Sequence, residues 1–356
     1  MIPVARPVID NDEIDAAINV LKSGNYTSGP IVEIFEEQFS NYIGTKYAVA
    51  CNSGTAALHM VYLYLMARGK KFITTPMSFF ATVSAGLMTG AEPIFVDVDD
   101  RCNINADLIE EAITDDVIAI APVHFYGHPC EIEKIVEIGN KYNIPVIEDC
   151  AQAHGAEYKH KCVGSFGFAG CFSFFSTKNM TTIEGGMITT NNFELYSFCK
   201  CIRSHGMTDR NTHMYVGYNY RMSELNAAIG LAQFTKLNKL NDKRIENSLF
   251  LQNHISNKNL VLFISKNYVK DVYFWQPVYT DKPKEFSKYL KENGIGFRYR
   301  YNEPLYKQPV LDYLYDGQYL ENAERFSGKM FGLPNYPGLT DTDLEKVVEV
   351  VNGFTC

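Results

Sequence analysis

Lys178 is the side chain best placed to do covalent chemistry. It falls just past an apolar run, Cys171-Phe-Ser-Phe-Phe-Ser-Thr-Lys178. A lysine held among aromatic rings can have its pKa lowered and act as a nucleophilic amine. Asp149 ends another apolar run, Val146-Ile-Glu-Asp149, and leads into Cys150-Ala-Gln-Ala-His-Gly155. A carboxylate at such a strand tip can hold a proton on a heterocyclic nitrogen. Asn52-Ser53-Gly54-Thr55 lies between a strand and a helix. There Gly54 allows close backbone approach, and the helix start offers N–H groups to an anion. Ser173 sits on the strand before Lys178, and Phe79 follows a further strand, where its ring could cover a flat ligand. Taken singly, each has a plainer reading: a Ser-capped helix start, a capping acid, a solvated lysine, a core phenylalanine. Together they ask for a ligand with an anionic tail, a planar ring, a basic ring nitrogen and an aldehyde. Pyridoxal phosphate has all four, with a lysine forming the Schiff base and an acid partnering the pyridinium nitrogen.

Such residues need a scaffold of alternating strands and helices, and the hydropathy pattern supplies one. Asp10 to Glu13 opens a first helix, with Ile14, Ala17, Ile18 and Leu21 on one face, and a second follows near Ile31. Strand and helix patterns then alternate to Asp149, including helices over 106–113 and 131–142. This predicts an α/β fold with a mostly parallel central sheet and helices on both faces. Residues 170–175 and 186–190 read as two strands whose connection is too short for a crossover, hence antiparallel. Helices are expected over 193–203 and 223–240, strands over 273–279 and 296–301, and helices over 283–293, 320–330 and 341–352. The division expected is a large domain, 1–240, and a small C-terminal α/β domain, 241–356, on which the N-terminal helix is free to pack. Open α/β sheets bind ligands at the carboxyl ends of their strands, where these candidates fall.

Composition narrows the function classes. The 356 residues carry a net charge of −8, which argues against nucleic acid as a partner. The mean hydropathy is −0.15, and the longest apolar stretches are strand-length, so no membrane span is expected. The N-terminus shows no secretory pattern, and the nine cysteines are scattered without a Cys-x-x-Cys pair. Free thiols in a cytoplasmic protein follow as the expectation. His124, His128 and Cys130 lack a second ligand cluster, so no metal is expected.

The order of these segments resembles the DegT/DnrJ/EryC1/StrS family of sugar aminotransferases, within fold type I of the pyridoxal-phosphate enzymes. The stretches that carry the resemblance are Glu148-Asp-Cys-Ala-Gln-Ala-His-Gly155, Phe172-Ser-Phe-Phe-Ser-Thr-Lys-Asn179 with Glu184-Gly-Gly186, and Gly217-Tyr-Asn-Tyr-Arg-Met-Ser-Glu224. The resemblance implies that Lys178 is the Schiff-base lysine and Asp149 the acid on the pyridine nitrogen. It implies that Gln152 lies beside the phenolic oxygen, Phe79 stacks on the ring, and Gly54, Thr55 and Ser173 form the phosphate cup. It also implies that Asn219 reaches the phosphate of the neighbouring subunit, in a homodimer with shared active sites. Four positions depart from the family pattern: Phe168 for a common acid, Ser176 for proline, Ile183 for glycine and Tyr306 for histidine. A branch of the family that carries histidine in place of the lysine performs dehydration, and Lys178 argues against that branch.

The substrate class follows from the resemblance. L-glutamate is the expected amino donor and a nucleotide-diphospho 4-keto-6-deoxyhexose the expected acceptor. A 3-keto sugar nucleotide, a keto-cyclitol, and a regulator that binds the cofactor without turnover are the alternatives. Arg298, Arg300 and Lys307 could neutralise a diphosphate or form a solvated basic patch. Tyr306 and His154 complete the candidate substrate contacts. Period-2 alternation points Phe297, Tyr299 and Tyr301 one way, and Arg298 and Arg300 the other.

Overall fold

The computed structural model describes all residues except Ser28, Arg300, Tyr315, Asp316 and Cys356. The first helix, α1 (Asn11–Ser23), is closed by a capping box: Asp10 accepts from the backbone, and Glu13 accepts from Asp10 N–H at 2.9 Å. The helix α2 (Pro30–Ile43) has no side-chain cap of its own. A distant residue, Glu224, accepts from the N–H groups of Gly29, Ile31 and Val32 instead. Then β1 (Tyr47–Cys51), α3 (Gly54–Tyr64), β2 (Lys71–Thr74), α4 (Ala81–Leu87), β3 (Glu92–Phe95), β4 (Val117–Ala121), α5 (Ile132–Tyr142) and β5 (Ile147–Asp149) alternate. A hairpin of β6 (Glu157–Tyr158) and β7 (Lys161–Cys162) precedes β8 (Ala169–Ser173), β9 (Gly186–Thr190), α6 (Phe193–Ile202) and α7 (Glu224–His254).

Strands β3, β2 and β4 pair in parallel, and β5, β8, β9 and β1 form a second ladder. Single parallel bridges, Ile120 to Val146 and Val123 to Asp149, join the two into the order β3-β2-β4-β5-β8-β9-β1. Only β9 runs against its neighbours, as its short connection to β8 requires. Period-2 alternation sorts the side chains to two cores. Val49, Cys51, Cys171 and Ile188 pack with α3 and α6, whereas Ala48, Ala50, Phe172 and Met187 pack with α2 and α7. Helices on both faces explain why β1, β5, β8 and β9 are buried almost throughout. This arrangement is the fold type I architecture anticipated from the sequence.

The remainder carries β10 (Val261–Leu262), β11 (Val269–Lys270), β12 (Gln276–Tyr279), α8 (Pro283–Glu292), β13 (Arg298–Tyr299), α9 (Glu321–Phe326), β14 (Met330–Leu333) and α10 (Asp341–Asn352). Strands β10, β12, β14 and β13 form a small antiparallel sheet over a core that includes Phe286, Leu290, Phe331 and Val347. The N-terminus joins this part: Ile2 N–H donates to Gly294 O, and Gly296 N–H donates to Ile2 O at 2.7 Å. The helix α1 itself lies on α7, where Gln233 and Lys236 meet Glu13 and Asp10. No described helix is long and apolar enough to cross a membrane.

Several element bounds differ from expectation, each for a local reason. The helix expected to stop at 240 continues to His254. Its second half buries Asn241, Arg244, Asn247 and Ser248, a polar stripe that hydropathy does not register. The expected helix over 106–113 is two short 3-10 turns, 106–108 and 110–112, with the fully buried Ile109 between them. The strands expected over 273–279 and 296–301 are shorter, Gln276–Tyr279 and Arg298–Tyr299, and Tyr273 and Tyr301 at the expected ends take left-handed backbones, with φ of 41° and 62°. Arg300 lies outside the described residues.

Candidate active site

A cavity of about 320 Å³ opens at the carboxyl ends of β1, β2, β5 and β8. Each strand end delivers one functional group. After β1, Ser53 caps α3 by accepting from Ala56 N–H at 3.1 Å. That cap orients the first turn of α3 beside Gly54 and Thr55 at the cavity wall. Gly54 is required by proximity, since a Cβ there would lie 2.7 Å from Ser173 Cβ. The turn and Ser173 thus make a shallow cradle of N–H and hydroxyl donors, suited to a phosphate.

After β5, Asp149 lines the cavity floor at 4% exposure. Its Oδ2 accepts from Thr82 Oγ1 at 2.7 Å and its Oδ1 from Ala151 N–H at 3.0 Å. Burial pushes its pKa up, and the Thr82 hydroxyl, the Ala151 amide and the Lys178 charge pull it back. Gln152 accepts from Tyr126 N–H through Oε1 at 2.9 Å, which fixes its amide and leaves Nε2 as the donor end. After β8, Lys178 enters the same cavity, with Nζ 4.8 Å from the centroid of the Phe274 ring. Phe79 stands at the wall with 55% of its surface exposed, so its face is open to a ligand.

Arg298 on β13, with Phe274, Trp275 and Tyr301 from the segments flanking the small sheet's strands, lines the rest of the cavity. The Arg298 guanidinium lies 5.1 Å from the Trp275 ring centroid. The alternation expected over 297–301 holds for Phe297 and Tyr299, whose rings pack on Phe331. It fails at Tyr301, whose backbone turn brings it to the same cavity as Arg298. The other expected substrate residues stand away from the wall. Lys307 pairs with Glu324 at 2.5 Å, and Tyr306 donates to Glu324 at 2.6 Å while its ring is buried with Val83, Phe95 and Leu305. His154 is fully buried beneath β8 against Phe172 and Phe174, and burial pushes its pKa down to about 3. Asn219 is exposed beside Asn52 and is not part of this chain's own cavity wall.

Wall residues that had no role in the sequence reading include Ser78, Thr82, Phe274 and Trp275. Ser78 and Thr82 flank Phe79 at helical spacing, a signal that was available. Phe274 and Trp275 carried none, because an aromatic pair in an apolar run reads as core. The His124, Glu148 and Cys150 group is close enough to be considered for a metal. Two of its members are engaged otherwise: Glu148 accepts from Gly164, Phe166 and Gly167 N–H, and His124 Nδ1 accepts from Cys130 N–H.

A cradle for an anion, a buried acid, an amide donor, an open aromatic face and a lysine in one cavity fit pyridoxal phosphate. With the sheet order, they define a fold type I pyridoxal-phosphate type of transferase. The chain belongs to the DegT/DnrJ/EryC1/StrS aminotransferase family, whose model matches residues 7–352. It is 34% identical to the UDP-4-amino-4,6-dideoxy-N-acetyl-beta-L-altrosamine transaminase of Campylobacter jejuni, over 99% of this chain and 96% of that one. It is 35% identical to a pleiotropic regulatory protein of Geobacillus stearothermophilus, over 94% and 92% of the two chains. Among solved structures, a Helicobacter pylori aminotransferase of pseudoaminic acid biosynthesis superposes with a TM-score of 0.93 at 29% identity, covering 98% of both chains.

Proposed function

We propose that the protein binds pyridoxal phosphate and transfers the amino group of L-glutamate to C4 of a nucleotide-diphospho 4-keto-6-deoxyhexose. The observation that carries this reading is the meeting of Lys178, Asp149 and the Gly54, Thr55, Ser173 cradle in one cavity. Bound pyridoxal phosphate supplies an electron sink and an aldehyde through which nitrogen passes between substrates. The cradle and Ser173 hold the phosphate. Asp149 keeps the pyridine nitrogen protonated, Gln152 Nε2 donates to the phenolic oxygen, and Phe79 covers the ring. Lys178 Nζ would hold the cofactor covalently until the donor's amine replaces it; the freed amine would then carry the proton from Cα of the donor to the cofactor and, in the reverse half, from the cofactor to the sugar carbon that gains nitrogen. Glutamate leaves as 2-oxoglutarate and the keto-sugar as an amino sugar.

The sugar assignment is supported by the Campylobacter relative, which is named for a 4-amino-4,6-dideoxy sugar. We read Arg298, on the same wall, as a group that neutralises the diphosphate. We read residues 1–240 as the cofactor-binding part and 241–356 as the part that closes over it. We further read the working unit as a homodimer in which Asn219 reaches the partner's phosphate. The eight described cysteines are free, which suits a reducing cytoplasm.

The name of the Geobacillus relative favours a second reading, cofactor binding without turnover, and formation of 2-oxoglutarate from glutamate separates the two. The decisive experiment supplies glutamate and a panel of keto-sugar nucleotides, with NMR of the product and borohydride reduction of the holoenzyme before peptide mapping. Nitrogen at C4 and a pyridoxyl label on Lys178 are expected. Nitrogen at C3 would transfer the assignment to a 3-keto sugar, and a label on another lysine would refute the site.

A further inference from the structure

Behind Asp149 stands a chain of two hydroxyls that the reading above does not use. Thr82 Oγ1 lies 2.7 Å from Asp149 Oδ2, and Ser78 Oγ lies 2.8 Å from Thr82 Oγ1. All three side chains are at most 4% exposed, and all three reach the cavity wall. The direction of the bonds follows from valence. An ionised carboxylate only accepts, so the single Thr82 proton points at Asp149, and Ser78 must donate to Thr82. The contact is local: Ser78 lies in the bend just before α4 and Thr82 in the first turn of that helix, and the bend brings the two hydroxyls together. Phe79 lies between them in sequence and faces the cavity. One short segment therefore presents both a ring to stack on the ligand and a relay to the acid beneath it.

We propose that Thr82 is a positioning residue, which with Ser78 behind it fixes the Asp149 carboxylate and keeps it ionised for the ring nitrogen of pyridoxal phosphate. The inference rests on the cofactor reading above. Burial alone drives Asp149 toward its neutral form, and a neutral acid would leave the ring nitrogen without a charged partner. Ala151 N–H satisfies the other oxygen but cannot set the rotation of the carboxylate by itself. With Thr82, itself held by Ser78, on the second oxygen, both ends of the carboxylate are tied and its plane is fixed.

The test reconstitutes wild-type, Thr82→Val and Thr82→Ser proteins with pyridoxal phosphate labelled with ¹⁵N in the ring and reads its chemical shift against pH. The wild-type ring nitrogen should titrate as a protonated species well above neutral pH. Thr82→Val should move the signal toward the unprotonated position and slow the glutamate half-reaction by roughly ten- to a hundredfold, the size of a hydrogen bond to a charged group. Thr82→Ser should restore both. A merely structural threonine would lower thermal stability and leave the ¹⁵N titration unmoved, and that result overturns the proposal. If Thr82→Val does not fold, Ser78→Ala removes only the far donor. It should shift the titration in the same direction by less, and an unmoved signal there is equally adverse. A wild-type protein without a protonated ring signal would instead overturn the Asp149 reading, and this one with it.

Discussion

His154 has to stay uncharged in the folded protein. It is fully buried against two phenylalanine rings, and its pKa is held near 3, against an ordinary value of 6.5. Between those two values the unfolded chain binds a proton that the folded chain refuses, so stability falls as pH drops from 6.5 toward 3. A tenfold change in proton affinity is worth about 1.4 kcal/mol, so the loss at the acid end is on the order of a few kcal/mol. Asp149 acts with the opposite sign: its folded pKa is raised, so the folded chain keeps a proton longer and its contribution falls as pH rises through that value. Urea unfolding at pH 7 and pH 5 should show the histidine's effect, and His154→Leu should flatten the slope. An unchanged slope in that variant would assign the acid sensitivity elsewhere. At this scale the sequence is informative where side chains form a set. Lys178, Asp149 and Gly54 stand out as a set at strand ends although each alone has a plainer use, and Gln152 is legible only through the family resemblance. His154 shares a motif with them but faces the core, since the chain turns over residues 151–155 and carries its ring under Phe172 and Phe174. Tyr306 and Lys307 read as polar ligand contacts, yet Glu324, which satisfies both, lies far enough along the chain that spacing gives no hint of it.

Among the elements, the turn between β8 and β9 carries the sharpest local cost. Ile183 takes a φ of 72° with 53% of its surface exposed. A β-branched residue is disfavoured in that conformation by roughly 1–2 kcal/mol, and little buried contact offsets it. The neighbouring hydrogen bonds hold it there: Ile183 N–H donates to Thr181 Oγ1 at 2.8 Å, and Thr182 Oγ1 donates to Glu184 O at 2.7 Å. Those bonds also set the direction of Glu184, which faces the cavity. Ile183→Gly should therefore relieve strain, opposed by about 0.5–1 kcal/mol of added freedom in the unfolded chain. Calorimetry should show a Tm equal to wild type or up to a few degrees higher, and a fall of several degrees would show that the side chain contributes packing unseen in one chain. The elements themselves are legible in the sequence where an apolar stripe exists, as in α1, α5 and α10. They are not where burial is polar. The second half of α7 anchors to the chain through Asn241 on His154 O, Arg244 on Asn335 O and Asn247 on Tyr336 O. Periodicity in hydropathy cannot see such a stripe, so the pattern ends the helix at its last regularly spaced leucine.

At the scale of the whole molecule, the cavity and Asn219 do not meet within one chain. Asn219 is held against the chain by a bridge to Ser204, and its carbonyl accepts from Asn52 Nδ2 at 3.3 Å. Its segment carries exposed apolar side chains, with Met214 at 60% and Val216 at 92% exposure. Exposure of that kind on a short segment suits contact with another copy. The homodimer reading gives this segment a task that can be tested by mixing. In a hybrid of one Lys178→Ala chain and one Asn219→Ala chain, an Asn219 acting across the interface puts both lesions in one site and leaves the other site whole. Co-refolded mixtures should then recover about a quarter of wild-type activity, since half the dimers are hybrids by random pairing and each has one intact site. An Asn219 acting within its own chain leaves one lesion in every site, and activity stays at the level of the separate variants. The recovery must also follow the fraction of hybrids as the mixing ratio changes, with its maximum at equal amounts. Recovery that ignores the ratio, or none at all from two severely impaired and correctly folded variants, would remove Asn219 from the partner's site.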